Sequence, residues 1–170
     1  MSSNSNMTAV YPGSFDPITL GHLNVVERIS RVFDHVIIGV GIHHEKRPWF
    51  TPEQRVTMIE QSTADLPNIE VRIYEGLTVR FVQQCRSHIM VRGVRPITDI
   101  PAELTMMMAN RQLAPDVETL FLIADGELAH VSSSLIKEIA GVSDDVILKR
   151  FLPEAIVPTV REYINRHLKG

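Results

Sequence analysis

The chain has almost no cysteine. Cys85 is the single one among 170 residues. One thiol allows no internal disulfide, and the sequence shows no Cys-and-His spacing that would hold a structural metal. This cysteine usage is typical of a reducing compartment, so we expect a cytoplasmic protein. Cys85 itself is expected to be a small buried apolar residue on a helix.

Long apolar runs and excess basic charge are also missing. No run approaches the ~20 residues that cross a membrane, and residues 1–6 are small and polar, without the apolar centre of a secretion signal. We interpret these six residues as a disordered leader or a cloning remnant. The net charge of −3 argues against a protein that binds nucleic acid through bulk electrostatics. Neither a membrane nor a nucleic acid is therefore expected as a partner.

What is present is the composition of one ordinary globular domain, which we assign to residues 7–170. Hydrophobic residues make up 44% of the chain and charged residues 22%. This length can bury a substantial core. Five apolar segments rich in β-branched residues alternate with segments of helical periodicity. We place the strands at residues 9–11, 36–40, 69–74, 89–91 and 119–124, with a break after the first strand at Pro12. This alternation predicts an α/β fold with a Rossmann-like, doubly wound, five-stranded parallel sheet and helices on both faces.

Two of the helices have clear boundaries in the sequence. Thr51 and Gln54 have the spacing of a capping box, so a helix is predicted to begin there. Its buried side is expected to contain Val56, Ile59, Thr63 and Leu66. A final helical region is predicted over residues 153–168, where Pro158 is acceptable only in the first turn.

The most informative stretch runs from Thr8 to His22 and reads T-A-V-Y-P-G-S-F-D-P-I-T-L-G-H. A strand, a glycine-containing loop and a helix start form a corner where free backbone N–H groups and the helix dipole favour an anion. Gly13 allows close approach or a positive φ, Ser14 offers a hydroxyl, and His22 offers an imidazole N–H. The alternative is an ordinary turn with a surface histidine, but the spacing G-S-F-D-P-x-x-x-G-H is far more restrictive than a lone glycine motif.

Other candidate ligand groups follow other strands. Lys46 follows the second strand, Arg92 and Arg95 follow the fourth, and the serine run 132–134 follows the fifth. The carboxyl ends of parallel strands meet at one edge of a sheet, where ligands of such folds bind. All these groups are therefore expected at one edge, together with His22.

The corner motif resembles the T/H-x-G-H signature of the nucleotidylyltransferase superfamily, and most closely that of the pantetheine-phosphate adenylyltransferases. In that family the first signature histidine is often a threonine, as Thr19 is here. The resemblance runs from Val10 to about Pro153. It includes Lys46, the segment R-G-V-R at 92–95 and the segment V-S-S-S-L-I-K-E at 131–138, in the expected order.

The resemblance implies transfer of the adenylyl group of ATP to 4′-phosphopantetheine, giving dephospho-coenzyme A and pyrophosphate in coenzyme A biosynthesis. The catalytic residues it implies are His22, as a transition-state stabiliser, with Lys46 and Arg95. The implied ATP-binding residues are Ser14, Phe15, His22, Gly93, Val94, Arg95, Glu103, Leu128, Ala129, His130, Val131, Ser132, Ser133 and Ser134. The implied phosphopantetheine-binding residues are Ser14, Lys46, Thr78 and Arg92.

Each of these groups also has a purely structural alternative. Lys46 would then belong to a solvated basic loop, Arg92 would pair with Asp99 or Glu103, and the serine run would only cap a helix. The local sequence I-P-A-E before and at Glu103 departs from the family pattern at Pro101 and Ala102. The methionine run 106–108 is interpreted as core or subunit contact.

No protein nucleophile is evident, and this chemistry needs none, because the acceptor's phosphate is itself a nucleophile. Mg²⁺ is the expected cofactor, held mainly by oxygens of ATP, so no protein side chain is expected as a metal ligand. The resemblance also implies a homo-oligomer, commonly a hexamer in this family.

Two other functions remain open from the sequence. One is a nucleotidylyltransferase that accepts nicotinamide mononucleotide or a sugar or polyol phosphate, although V-S-S-S-L-I-K-E differs from the serine motif of the nicotinamide enzymes. The other is a non-catalytic nucleotide-binding regulator, against which the presence of His22 and Lys46 argues. The chain is too short for an aminoacyl-tRNA synthetase.

Overall fold

The computed structural model describes residues 7–42, 48–94 and 99–168. The strands are β1 (Thr8–Gly13), β2 (His35–Ile42), β3 (Ile69–Glu75), β4 (Ile89–Val94) and β5 (Glu118–Ile123). The helices are α1 (Leu20–Ser30), α2 (Pro52–Ser62), α3 (Thr78–Gln84), α4 (Ile100–Leu113), α5 (Ser133–Ile139), α6 (Asp145–Leu148) and α7 (Val157–His167), with a 3₁₀ turn at Glu154–Ile156. The interpretation of residues 1–6 as a leader falls outside the described residues. In the part of the chain described, no helix is long and apolar enough to cross a membrane.

The five strands form one parallel sheet in the order β3-β2-β1-β4-β5, which confirms the predicted fold class. Strands β1, β2 and β3 follow one another toward one edge of the sheet, and the chain then crosses back to place β4 on the other side of β1. The order in which strands are added therefore reverses between β1 and β4. In open α/β sheets the crevice outside the carboxyl ends of the strands at such a point is where ligands bind.

Each face of the sheet is covered by its own apolar cluster. Val10, Ile37 and Met90 belong to the cluster that contains the α3 residues. Their strand neighbours on the opposite face join a larger cluster with α1, α2, α5 and α7. Burial on both faces explains why the central strands are continuously apolar rather than alternating.

Strand β1 does not break at Pro12, as the sequence suggested, but continues to Gly13. Beside β2 its pairing extends through Pro12 and Gly13, whereas beside β4 only Ala9 and Val10 pair. Pro12 is tolerated in a central strand because β1 and β4 have already separated at that level. That separation opens the crevice between them.

Three helices differ from their sequence-based description. The fully buried positions of α2 are Arg55, Met58 and Ile59, whereas Val56 is only partly buried. The four-residue α6 was not predicted, since one turn has no detectable periodicity. Helix α4 buries none of its residues, so the core interpretation of its methionine run is wrong. Pro158, by contrast, does lie in the first turn of α7, as predicted.

Truncation of a buried side chain in the interior strand β2 should cost far more stability than truncation of a side chain in the edge strand β3. Ile38→Ala removes a side chain with no exposed surface, so we expect a loss of about 2–5 kcal/mol in the free energy of unfolding. Ile73→Ala, at a side chain that is 39% exposed, should lose under about 1 kcal/mol. Urea unfolding at one fixed protein concentration measures both, and equal losses would contradict this core.

Candidate functional site

Thr19 and His22 fix one another at the start of α1. Thr19 is the N-cap, and its hydroxyl oxygen accepts from the His22 backbone N–H at 3.4 Å. In return, Nδ1 of His22 accepts from the Thr19 backbone N–H at 3.1 Å. This is a capping box in which histidine replaces the usual glutamate or glutamine. Because a backbone N–H can only donate, Nδ1 carries the lone pair and the neutral ring carries its proton on Nε2.

Phe15 supports the His22 ring from behind. Its side chain is buried, and its ring meets the imidazole edge-on with centroids 5.1 Å apart. Phe15 also takes the left-handed conformation in this loop, with φ of 48°. Gly13, which the sequence suggested for close approach or a positive φ, does not have a positive φ. A buried phenyl ring offers little surface to ATP, so the structure places Phe15 behind the site rather than at its surface.

The backbone amides at the start of α1 are largely occupied within the protein. The Leu20 N–H donates to the carbonyl of Phe151 at 2.8 Å, and the His22 N–H is bound by Thr19. The expectation of several free amides at this corner is therefore wrong for these two groups. Attraction of an anion must depend more on the helix dipole and on His22 than the sequence suggested.

A cavity of about 210 Å³ opens above the carboxyl ends of β1 and β4, and we call it the serine cavity. Most of the expected ATP-binding residues line it. They are Ser14, His22, Gly93, Val94, Leu128, Ala129, Val131, Ser132, Ser133 and Ser134. The predicted convergence of the corner, the fourth strand and the serine run is thus observed.

The three serines do not have equal roles. Ser132 caps α5, because its hydroxyl oxygen accepts from the Leu135 N–H at 3.2 Å, and its own proton is still available to donate. The Ser133 hydroxyl donates to the carbonyl of Pro17 at 2.8 Å, which ties α5 to the corner. The proton of Ser133 is therefore engaged, and Ser132 and Ser134 are the better hydroxyl donors for a phosphate.

Gly21 lets α1 approach the segment before α5 closely. A Cβ at Gly21 would lie 3.0 Å from the carbonyl oxygen of Val131 and 3.2 Å from that of Leu128. These contacts are too tight for a larger side chain without movement of the backbone. The glycine of the corner motif is thus required by packing within the wall of the serine cavity.

A second cavity, of about 320 Å³, also has Ser14 in its wall, and we call it the arginine cavity. Its walls are formed by Gly13, Ser14, Tyr74, Thr78, Met90, Arg92, Met106 and Asn110. Three of the expected acceptor-binding residues, Ser14, Thr78 and Arg92, therefore come together here. Ser14 lines both cavities, so two ligands would meet at this residue.

Arg92 is held by a bidentate ion pair with Glu103. Its Nε and Nη2 donate to the two carboxylate oxygens at 2.9 and 2.6 Å, and Nη1 donates to the carbonyl of Pro12 at 2.8 Å. Burial alone would lower the pKa of Arg92, but the hydrogen bonds and charge of Glu103 outweigh it and raise the pKa. The purely structural pairing of Arg92 with Glu103 is thus present. A phosphate that binds Arg92 in the arginine cavity must share the guanidinium with Glu103 or displace the glutamate.

Some expected site residues lie elsewhere. Glu103 lines a separate apolar cleft beside β5 and not the serine cavity. His130 is exposed, with its ring 6.2 Å from that of Phe151, and does not line the serine cavity. Lys46 and Arg95 fall outside the described residues.

Several lining residues were not anticipated. Tyr11, Val25, Asp99 and Ala124 also line the serine cavity. Burial raises the pKa of the Tyr11 phenol, which therefore stays protonated and able to donate. A Cβ at Gly93 would lie 2.7 Å from the Tyr11 hydroxyl, so glycine is required beside it. The sequence did contain a signal for Tyr11. It lies two residues after Ala9, on the same face of the predicted first strand, and at the carboxyl end of that strand.

Comparison with known proteins fits this geometry. The family model described as cytidylyltransferase-like matches residues 10–139. A phosphopantetheine adenylyltransferase of Rhodopirellula baltica is 51% identical over 92% of this chain and 88% of its own. That of a Synechococcus species is 47% identical over 92% of this chain and 97% of its own.

This chain belongs to the phosphopantetheine adenylyltransferase family. The family resemblance seen in the T-x-G-H corner is thereby confirmed across nearly the whole chain. Among solved structures, a lipopolysaccharide core biosynthesis protein from Thermoplasma volcanium aligns with a TM-score of 0.52 and 18% identity. It covers 69% of this chain and 97% of its own, and it supports the fold alone.

The tautomer of His22 is a direct prediction of the capping box. In mildly alkaline buffer, ¹⁵N-resolved NMR of histidine-labelled protein should show the His22 ring protonated at Nε2 and unprotonated at Nδ1. His22→Gln identifies the signal by removing it. A ring protonated at Nδ1 would show that the Thr19 N–H does not bind it.

Proposed function

We propose that this protein transfers the adenylyl group of ATP to 4′-phosphopantetheine, giving dephospho-coenzyme A and pyrophosphate. The observation that carries the proposal is the pair of cavities that meet at Ser14, with His22 in the wall of one and Arg92 in the wall of the other. Relatives that carry the name phosphopantetheine adenylyltransferase support this choice of acceptor.

The reaction forms one bond and breaks one at the α-phosphorus of ATP. An oxygen of the acceptor's phosphate attacks that phosphorus, and the bond to the bridging oxygen breaks as pyrophosphate leaves with the electron pair. Because the attacking oxygen is already anionic, no side chain has to become a nucleophile. Catalysis then depends on aligning the two ligands and on stabilising charge where it develops.

In this proposal ATP occupies the serine cavity. The Nε2–H of His22 donates to an α-phosphate oxygen, whose negative charge increases in the transition state. The hydroxyls of Ser132 and Ser134, with the dipole of α5, hold the β- and γ-phosphates. Gly93, Val94, Leu128, Ala129 and Val131 contact the nucleoside. The structure favours a supporting role for Phe15 and a more remote one for His130.

The acceptor occupies the arginine cavity. Its phosphate is placed near Ser14, where the guanidinium of Arg92 can bind it bidentately. Thr78, whose hydroxyl is 3.1 Å from that of Tyr74, lines the wall for the pantetheine arm. Glu103, on release from Arg92, is free to contact the nucleotide. Lys46 and Arg95 are proposed from the family motif to neutralise charge on the transferring group.

Mg²⁺ is the proposed cofactor, carried with ATP. The serine cavity offers oxygen donors from Asp99 and the serine hydroxyls, a set that suits a hard cation. When bound, the ion would neutralise charge on the departing pyrophosphate. Phosphate oxygens of ATP would hold most of the ion's coordination sphere. Over the described residues no three His, Cys, Asp or Glu side chains cluster as a metal site.

A homohexamer and a cytoplasmic location complete the proposal. The exposed apolar side chains of α4 and β5, among them Met106, Met108, Leu120 and Ile123, support a subunit interface on that side of the molecule. A solution mass equal to that of one 19.2 kDa chain would contradict it. The cytoplasm is proposed because it supplies ATP and keeps Cys85 reduced.

A panel of acceptors tests the proposed activity. Mixed with ATP and Mg²⁺, the protein should release pyrophosphate and form dephospho-coenzyme A with 4′-phosphopantetheine. Mass spectrometry identifies the product. Turnover with nicotinamide mononucleotide or a polyol phosphate instead would replace the acceptor, and nucleotide binding without any turnover would indicate a regulator.

His22→Ala should lower kcat by at least ~10²–10³-fold, the usual cost of losing one preorganised donor to a developing oxyanion. His88→Ala is the matched control, because the His88 side chain is 75% exposed and pairs with Asp116, and neither residue lines either cavity. It should leave kcat unchanged. Near-normal turnover of His22→Ala would remove this histidine from the mechanism.

A further inference from the structure

Two cations hold the loop between β1 and α1, one on each side of Phe15 in the sequence. On one side, Nη1 of Arg55 donates to the carbonyl of Ser14 at 2.7 Å and to that of Gly41 at 3.3 Å. On the other side, the ammonium group of Lys137 forms an ion pair with the carboxylate of Asp16. Arg55 is 4% exposed and Asp16 is 5% exposed, whereas the side chain of Lys137 is 30% exposed, so the ion pair is only partly shielded from water.

Asp16 joins this loop to the segment that leads into α2. Its two carboxylate oxygens accept from the backbone N–H groups of Trp49, at 3.0 Å, and Phe50, at 2.9 Å. The Lys137 ammonium also lies 5.7 Å from the centre of the Trp49 ring, a cation–π distance. One carboxylate thus connects three parts of the chain: the loop, the α2 segment and helix α5.

Phe15, between the two anchored residues, is left with little freedom. A left-handed conformation in a non-glycine residue costs about 1 kcal/mol or more and persists only where the surroundings impose it. Here the neighbours on both sides are held, and the Phe15 ring packs against His22. Whatever fixes Ser14 and Asp16 therefore fixes the support behind the imidazole.

We propose that Asp16, Arg55 and Lys137, which we call the corner clamp, are positioning residues for adenylyl transfer. They hold Phe15 rigid, so that Nε2–H of His22 stays directed at the α-phosphate. None of the three lines the serine or the arginine cavity, so they act through the loop and not on the ligands. The kinetic part of this inference rests on the proposed function.

Lys137→Met tests the clamp, since it keeps the stem of the side chain and removes the charge. Because a misplacement of about 1 Å can cost 10²-fold in rate, kcat should fall roughly 10- to 100-fold. The KM values should change much less, because a misdirected His22 loses an interaction made in the transition state. Lys137→Arg restores the cation and should recover most of kcat. Lys149→Met removes an exposed ion pair with Glu154 and is the matched control.

Asp16→Asn removes the negative charge from the other partner of the ion pair. If the two residues act as one pair, the double variant Asp16→Asn/Lys137→Met should be no slower than Asp16→Asn alone. Independent, additive losses would overturn the clamp. So would a lower melting temperature with unchanged kcat per ATP-binding site, which would make the role merely structural. A raised KM for ATP at constant kcat, or no rescue by Lys137→Arg, would overturn it too.

The NMR signals of the His22 ring separate this inference from the proposed function. Lys137→Met should shift them, and Lys149→Met should not, whichever acceptor the protein uses. If the wild-type protein is inactive with 4′-phosphopantetheine, the proposed function is wrong. The comparison of Lys137→Met with Lys149→Met would still test the corner clamp. Unchanged His22 signals in Lys137→Met would end the clamp itself.

Discussion

The hydrogen bond from the Thr19 amide to Nδ1 of His22 is the contact on which the site depends. It starts helix α1 and fixes the tautomer of its histidine at once, so the requirement for a helix cap and the requirement for a proton donor coincide. A histidine placed further along α1 could donate a proton but would not complete the cap. A cap of another type would start the helix but would not fix the tautomer of the histidine. This explains why the corner is so restrictive in sequence although it spans few residues.

The sheet determines where that donor is used. Strands β1 and β4 separate beyond Val10, and the carbonyl of Pro12 is bound by the side chain of Arg92. Two cavities that share Ser14 in their walls adjoin this divergence. Transfer of an adenylyl group between two bound molecules needs two adjoining ligand sites, because the attacking and leaving oxygens must lie on opposite sides of the phosphorus.

The sheet and the edge that carries the site were predictable from sequence, since apolar β-branched runs and the corner motif are local signals. What was missed depends on tertiary contacts. Arg55 has the spacing of a buried position with Met58 and Ile59, but its partners are backbone carbonyls that only the fold brings near. The pairing of Arg92 with Glu103 and the engagement of Ser133 by Pro17 likewise join distant segments. A hydrophobicity pattern therefore locates such groups without revealing whether they face a ligand or another part of the chain.

The most direct test is a crystal structure of the protein with Mg²⁺ and an ATP analogue that resists cleavage at the α-phosphorus. An α-phosphate oxygen should lie about 3 Å from Nε2 of His22, with Nδ1 still on the Thr19 amide and the β- and γ-phosphates beside the serine run. A triphosphate bound outside the serine cavity, or a His22 ring turned so that Nδ1 faces the nucleotide, would contradict the role of His22 as the donor to the α-phosphate.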